Sequence, residues 1–342
     1  MTSKQPPTHV GAVVIGRNEG ERLRRCLASM LEAPDGPGRL VNVVYVDSGS
    51  TDGSVEMAQA MGADVHDLDT STKFTAARAR NAGAKRLLAK APETAFIQFV
   101  DGDCELDPHW ILTALDAIRA DPRRAVVCGR RRERYPERSI YNKLCDIEWD
   151  TPIGLADACG GDALIRVRAF QEVGGYRDDL IAGEEPEMCL RMRRAGWTIE
   201  RIDAEMTLHD AAMTNASQWW QRAKRCGYAW AEGYAIHGAQ DGYRKKEVVS
   251  TLGWAFGPPA VSLPFAPMSG GLSMLGLGAY PALLLKVYRY ARGRGFTAEE
   301  SRIFALSAVA SKFPQAAGML KYAWNRVRNQ QGTLIEYKGA GS

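Results

Sequence analysis

The stretch AFIQFVDGDCELDPHW, residues 95–110, decides how the chain is read. It opens as a nearly continuous apolar run, as parallel strands do when helices cover both faces of a sheet. Within three positions it then places Asp101 and Asp103 on either side of Gly102. Two readings compete. One is a solvated, turn-forming Asp-Gly-Asp. The other is a ligand pair for a hard divalent ion, Mg2+ or Mn2+, that in turn holds the oxygens of a substrate diphosphate.

Working outward from that strand, the same rhythm fills the first half of the chain. VGAVVIG (10–16) precedes a helical pattern with Leu23, Leu27, Met30 and Leu31 on one face, and LVNVVYVD (40–47) leads through SGSTDGS into SVEMAQAMGA. ADVHDL precedes TAARARNAGAKRLLAK, and the strand at 95–101 precedes PHWILTALDAIRA. This βαβ series predicts an α/β fold with a mostly parallel sheet flanked by helices, in which successive strands present their carboxyl ends along one edge. Arg17, Asn18 and Glu19, then Asp47, then Asp101 and Asp103 therefore gather at that edge. Ser50, Thr51 and Asp52 fit ordinary helix capping, whereas Asp47 stands before the turn, where no cap is required. Neither GxGxxG nor GxxxxGK[ST] occurs, so a phosphate must be held by means other than a dinucleotide fingerprint or a P-loop.

Composition narrows the function classes. The 342 residues, 45% hydrophobic and 25% charged, suffice for a full-sized core. A net charge of +4, without any basic block joined to a nucleic-acid motif, argues against nucleic acid. Seven scattered cysteines with no CxxC spacing read as packing residues of a reducing compartment. The opening MTSKQPPTHVGAVVIG lacks the features of a signal peptide, which predicts a cytoplasmic start.

Taken together, VVIGRNEG, VVYVDSGSTDGS, ARARNAGAKRL and FIQFVDGDCEL resemble, in order and spacing, a family 2 glycosyltransferase of the GT-A (Rossmann-like) fold, the last segment matching its DxD motif. CGGDALIRVRAFQEVGGYRDDLIAGEEPEMCLRMRRAGW is similar to the acceptor-side segment of that family, and the likeness runs over about residues 10–235. The resemblance implies that Asp47 contacts the nucleotide base, with Glu19 and Arg80 seating the nucleoside. It implies that Asp103 binds the metal directly while Asp101 supports the ribose or the metal through water. It makes Glu185 the general base; the family commonly has Glu-Asp where this chain has Glu184-Glu185, which lengthens the base by one methylene. The partners it implies are a nucleotide-diphosphate sugar and a lipid-linked or cell-surface glycan acceptor.

The chemistry calls for such groups. An acceptor hydroxyl must lose its proton as the sugar leaves its diphosphate, so one carboxylate near the sugar and one metal on the leaving group complement each other. A retaining hydrolase would need two carboxylates flanking the bond. GEEPEM also reads as a helix N-terminus with Pro186 at its first position. His209 is either a satisfied histidine or, following the strand-like TIERIDAEMTL, a third metal ligand. Gly160, Gly161 and Asp162 either shape a donor-sugar pocket, together with Glu184, or form a capped turn. The helix QWWQRAKRCGYAWAEGYAIHG either covers the site or packs as an interfacial or core element. A nucleotidyl- or phosphosugar-transferase is an alternative, but GRNEG is a poor basic glycine-rich loop for one; a catalytically silent nucleotide-sugar-binding scaffold is another.

From Val248 to Leu285 no residue is charged, and RKKE and KVYRYARGRG bracket the stretch. It predicts membrane association at the cytoplasmic face of the inner membrane, by two spans, by an inserted hairpin or by an interfacial pair, with a buried soluble subdomain as the competing reading. Residues 298–329 alternate apolar and basic faces and suit a headgroup layer. The division expected is a catalytic domain over 10–235 and a helical, membrane-associated region over 236–342.

Overall fold

In the computed structural model, which describes residues 9–31, 40–330 and 332, the first apolar run becomes β1 (His9–Gly16). It is followed by α1 (Glu21–Leu31), β2 (Leu40–Asp47), α2 (Ser54–Ala60), β3 (Asp64–Asp67), α3 (Ala76–Lys90) and β4 (Thr94–Asp101). This is the alternation read from the sequence. Next come β5 (Cys104–Leu106), α4 (Trp110–Ala120), β6 (Arg124–Glu133), α5 (Ile140–Trp149), β7 (Gly154–Leu155), β8 (Ala163–Arg166), α6 (Val167–Glu172), α7 (Glu184–Arg194) and β9 (Thr198–His209). The remainder is helical: α8 (Ala216–Asp241), α9 (Lys245–Ser262), a 3-10 helix (Leu272–Gly278), α10 (Ala279–Gly293), α11 (Ala298–Ala310) and α12 (Lys312–Val327). The segment before His9, read above for a leader, lies outside the described residues.

The strands form one sheet in the order β3-β2-β1-β4-β8-β6-β9-β5, with β7 on β9. The four strands of the opening series are parallel to one another. Beyond them the sheet is mixed, because β8 runs antiparallel to both β4 and β6, while β6 and β9 are parallel. The opening series alternates strand and helix, so each strand returns in the same sense; β8 instead follows the short strand β7 with no helix between them.

Burial explains the composition of these strands. Val13, Val14, Val44, Val46, Ile97 and Phe99 are fully enclosed, as expected where helices cover both faces. Gln98 interrupts the run at 95–101 without cost, since its Oε1 accepts from buried Trp110 Nε1 at 2.8 Å. α3 lies against β1 and β2 at Gly83, where a Cβ would fall 2.4 Å from Val13 and 2.9 Å from Val46.

By packing, the chain divides into two compact units. Among the described residues the first runs to Arg134 and resumes over Trp149–Ala211, and the second holds Tyr135–Glu148 and the chain from Ala212 onward. The sequence reading drew its division at 235, where the motifs end, and that position falls inside α8. Within the second unit α8 packs on α12 at backbone distance, because a Cβ on Gly227 would meet Gln315 and one on Gly318 would meet Lys224. Tyr228 is buried edge-on to Tyr322, and Trp219 Nε1 donates to Ser307, so the aromatic helix serves as a packing element. Among the described helices one stretch, Ala298–Val327, is long and apolar enough to cross a membrane, and just under half of its apolar part is buried within the protein. All seven cysteines are free thiols and six are buried.

Candidate active site

The register of the sheet builds the site's floor. Gly16 stands opposite Asp47 on one side of β1, and Ile15 opposite Asp101 on the other. The loop after β1 is locked to its neighbours: Asn18, at positive φ, accepts from Thr51 N–H at 2.8 Å and donates its own N–H to Ser50 Oγ. Gly102 N–H donates to the Ile15 carbonyl at 2.8 Å. Glu19 pairs with Arg22 at 2.8 Å and lies beneath Gly102.

Asp47 occupies a place the sequence reading did not foresee. It is buried, and its carboxylate accepts from the Tyr45 hydroxyl, Gly49 N–H, Ser50 N–H and the Ser50 hydroxyl. Both oxygens thus help to hold the SGS turn, and Asp47 shapes the rim of the site to which the resemblance assigns the nucleotide base.

Arg80, which the resemblance sets beside the nucleoside, is carried by α3 into a buried position among three carboxylates. Its Nη2 lies 2.7 Å from Asp101 Oδ1, and its Nη1 lies 2.9 Å from Glu184 Oε1 and 3.0 Å from Glu185 Oε1. The ring of Tyr176 sits 5.6 Å from the guanidinium. Burial opposes the charge of Arg80, but Glu185, Asp101 and Glu184 outweigh it and raise its pKa further above the ordinary value. Arg80 therefore ties the end of β4 to the start of α7. Gly161 completes the contact from the other side. A Cβ there would fall 2.5 Å from Arg80 Nη2 and 2.6 Å from Asp101 Oδ2, so only glycine lets the backbone pass.

Glu184 and Glu185 are the first two residues of α7, after Gly183 at φ +80°; Pro186 is thus the third helical residue, where the sequence reading had it first. Glu184 is buried, whereas the Glu185 side chain keeps 14% of its surface exposed. Burial, reinforced by the charge of Glu184 and offset in part by Arg80, raises the pKa of Glu185 to about 7. A carboxyl poised there is half ionised near neutrality and can take a proton from a hydroxyl.

Asp103 and His209 meet because β5 pairs antiparallel with β9, with Cys104 opposite His209. Asp103 Oδ2 and His209 Nε2 are 3.3 Å apart, both in buried side chains. That separation is what two adjacent ligands of a small divalent ion show when each bond is about 2.0–2.2 Å, so these residues fit such an ion. Asp101 is 28% exposed at the side chain, beside the pair in sequence. The cluster of Asp101, Cys104 and Asp162 fits an ion less well: the Cys104 thiol is buried, its pKa is raised well above the ordinary value by that burial, and a neutral thiol is a poor ligand for a hard cation.

Asp162 was read either as facing a donor-sugar pocket or as capping a turn. It is fully buried, with Oδ1 accepting from Asp101 N–H and Oδ2 accepting from the Thr207 hydroxyl at 2.7 Å and meeting Arg131 at 2.8 Å. Its position is that of a strut behind the Asp-Gly-Asp turn. Gly160 lies beside Arg131.

Sequence reasoning missed the layer behind these groups. Arg131 stacks on Trp149, and Trp149 stands edge-on to His209, with ring centroids 4.6 Å apart. Glu133 Oε2 lies 3.9 Å from His209 Nδ1 and accepts from Ala211 N–H. The signal was present in CGRRRERY: Arg131 and Glu133 are two apart on β6 and so share a face of the sheet.

Residues 12–174 match the model of a family described as Glycosyl transferase family 2. No curated protein matches the chain. Among solved structures it is similar to the mannosyltransferase PcManGT from Pyrobaculum calidifontis in complex with GDP-Man and Mn2+, with 20% identity and a TM-score of 0.61 over 94% of this chain and 92% of that one. At that identity the likeness shows a common GT-A fold.

Proposed function

From the match of residues 12–174 to glycosyl transferase family 2, we propose that the chain performs an inverting, metal-dependent transfer of a sugar from a nucleotide diphosphate to a hydroxyl of a lipid-linked or cell-surface glycan, at the cytoplasmic face of the inner membrane. The observation that carries the chemical reading is the conjunction of two features at one sheet edge: the Asp103–His209 pair at 3.3 Å and the partly exposed Glu185 with its pKa raised to about 7.

Glu185 accepts the acceptor's proton as the hydroxyl oxygen bonds to the anomeric carbon, and the bond from that carbon to the phosphate oxygen breaks with its electron pair on the diphosphate. A single displacement inverts the anomeric centre. Glu184 is buried on Arg80 and does not offer a second nucleophile to the sugar. Asp103 and His209 would hold the ion, with Asp101 assisting; when bound, it neutralises the charge developing on the diphosphate. Imidazole beside carboxylate suits Mn2+ better than Mg2+, and the GDP-Man and Mn2+ in the similar mannosyltransferase support a nucleotide-sugar donor with Mn2+. Arg80 keeps Glu185 and Asp101 in register, and Glu19 and the Asp47 turn form the rim on which the nucleoside rests.

The test is a nucleotide-release screen of GDP-, UDP- and dTDP-sugars with Mn2+ or Mg2+ and a membrane lipid extract. GDP-mannose with Mn2+ is expected to lead. Absence of release in every combination refutes the proposal.

A further inference from the structure

The second unit presents an apolar surface that the transfer chemistry does not use. Between Lys246 and Lys286 the chain forms a hairpin: α9, a run of turns, the 3-10 helix and α10. Its tip carries Leu263, Phe265, Met268, Leu272 and Leu275, each more than half exposed, with Met268 at 83%. A soluble protein rarely leaves such a run of large apolar side chains in water.

Much of the backbone of this tip is hydrogen-bonded within the hairpin. Leu263 N–H donates to the Pro259 carbonyl, Ser269 N–H to Phe265, Gly271 N–H to Ala266, Leu272 N–H to Ser269 and Met274 N–H to Gly271. The serine hydroxyls turn inward as well, Ser269 Oγ donating to the Phe265 carbonyl and Ser273 Oγ to the Ser262 carbonyl. Pro258 interrupts α9 and has no N–H for the Trp254 carbonyl four residues earlier; the Tyr280 hydroxyl of α10 supplies the missing donor at 2.9 Å. A water-facing loop has no need of this, since solvent would serve. A hydrocarbon environment requires it, because an unsatisfied backbone group there costs several kcal/mol.

Length and charge then choose among the ways to meet a bilayer. The uncharged part of α9 is 15 residues, Val248 to Ser262, and that of α10 is seven, Ala279 to Leu285. At about 1.5 Å per residue these reach about 22 and 10 Å, short of the roughly 30 Å hydrocarbon core. Lys245 and Lys246 at one base of the hairpin, and Lys286 and Arg289 at the other, are exposed. Cations at both bases complement anionic headgroups. We infer that residues 248–285 form a monotopic hairpin that inserts its Leu263–Leu275 tip into a single leaflet of an anionic lipid bilayer, with the lysines and arginines seated among the headgroups.

The hairpin shares no residue with the site around Glu185, so a Glu185→Gln chain without transferase activity should dock as the wild type does, and docking and chemistry fail independently. The test floats the full-length chain with phosphatidylcholine vesicles, with and without phosphatidylglycerol. Binding is expected to favour the anionic vesicles, to survive high salt once formed, and to fall by about tenfold or more in Leu263→Asp with Leu272→Asp, the scale of removing one or two buried leucines. An unchanged thermal transition would show that this variant is folded. In Met268→Cys, a fluorophore at the tip should be quenched by brominated lipid and not by a water-soluble quencher enclosed in the vesicle. Failure to float, release by salt alone, access from the enclosed side, or a soluble oligomer whose tips are covered by a second copy would each overturn the inference.

Discussion

Glu185→Gln is expected to make the protein more stable while making it inactive. The Glu185 carboxyl has an ordinary value of 4.5 and is raised in the folded protein to about 7, first by burial and then by the charge of Glu184. An acid whose folded pKa lies above its unfolded one favours the folded state when protonated. Its contribution is therefore most favourable below about pH 4.5 and is lost as the pH rises through about 7. The displacement amounts to about 3 kcal/mol of strain carried above neutrality. Glutamine removes the charge and keeps the shape. It also removes one partner of Arg80, which keeps Asp101 and Glu184 at 2.7 and 2.9 Å, so a net gain of about 1 to 3 kcal/mol at pH about 8 is expected.

Chemical denaturation of the metal-free proteins at pH about 8 and pH about 5 is the assay. The variant should be the more stable at the higher pH, and the gap should close toward the lower one as wild-type Glu185 takes up its proton. Transfer should meanwhile fall by on the order of a hundredfold or more, the loss expected for a missing base. In the wild type, turnover should rise with pH through an apparent pKa near 7. A variant less stable than wild type at pH 8, or a gap that widens on acidification, would refute the reasoning, because it would mean that Glu185 is stabilised as an anion.

Four further substitutions probe the rest of the site. His209→Ala and Asp103→Ala should each weaken Mn2+ binding, measured by calorimetry, at least tenfold with little change in the unfolding transition; unaltered binding in both would remove these residues from the metal site. Asp162→Asn should cost about 3 to 5 kcal/mol in denaturation, the scale for breaking a buried ion pair, because Arg131 at 2.8 Å loses its charge partner, and a loss below about 1 kcal/mol would show the strut to be dispensable. Gly161→Ala should lower turnover more than donor affinity, since its methyl group would fall 2.5 Å from Arg80 Nη2 and displace the guanidinium that registers Glu185; wild-type kinetics would show that Arg80 does not position the base.

The parts of the fold that were legible are those in which local pattern and tertiary fate coincide. β1, β2 and β4 are apolar because both their faces are covered, and a continuous run of valines and isoleucines reports that without reference to the rest of the chain. The Asp-Gly-Asp turn was legible for a similar reason: it lies where β4 ends, and strand ends define the edge. The anchoring role of Asp47 was not legible, because its partners, Tyr45, Gly49 and Ser50, are close in sequence but converge only once the SGS turn has closed. The carboxylate partners of Arg80 were not legible, because nothing in ARARNAGAKRL reveals that one of its arginines points into the sheet edge, 104 positions from Glu184. β8 could not be placed from its own four residues; its antiparallel sense is set by its pairing with β4 and β6.

What escaped the sequence reading is thus chiefly the arrangement of charge. Arg80 and Arg131 are both buried, and between them they meet Asp101, Asp162, Glu184 and Glu185, so carboxylates outnumber guanidiniums at the sheet edge. A buried excess of negative charge is costly unless something compensates it. In this site part of the cost is met by raising the pKa of Glu185, which lets one carboxyl hold its proton near neutrality. The same imbalance would make the edge receptive to a cation and leaves one acid with the proton affinity of a base, which suits chemistry that brings its own positive charge.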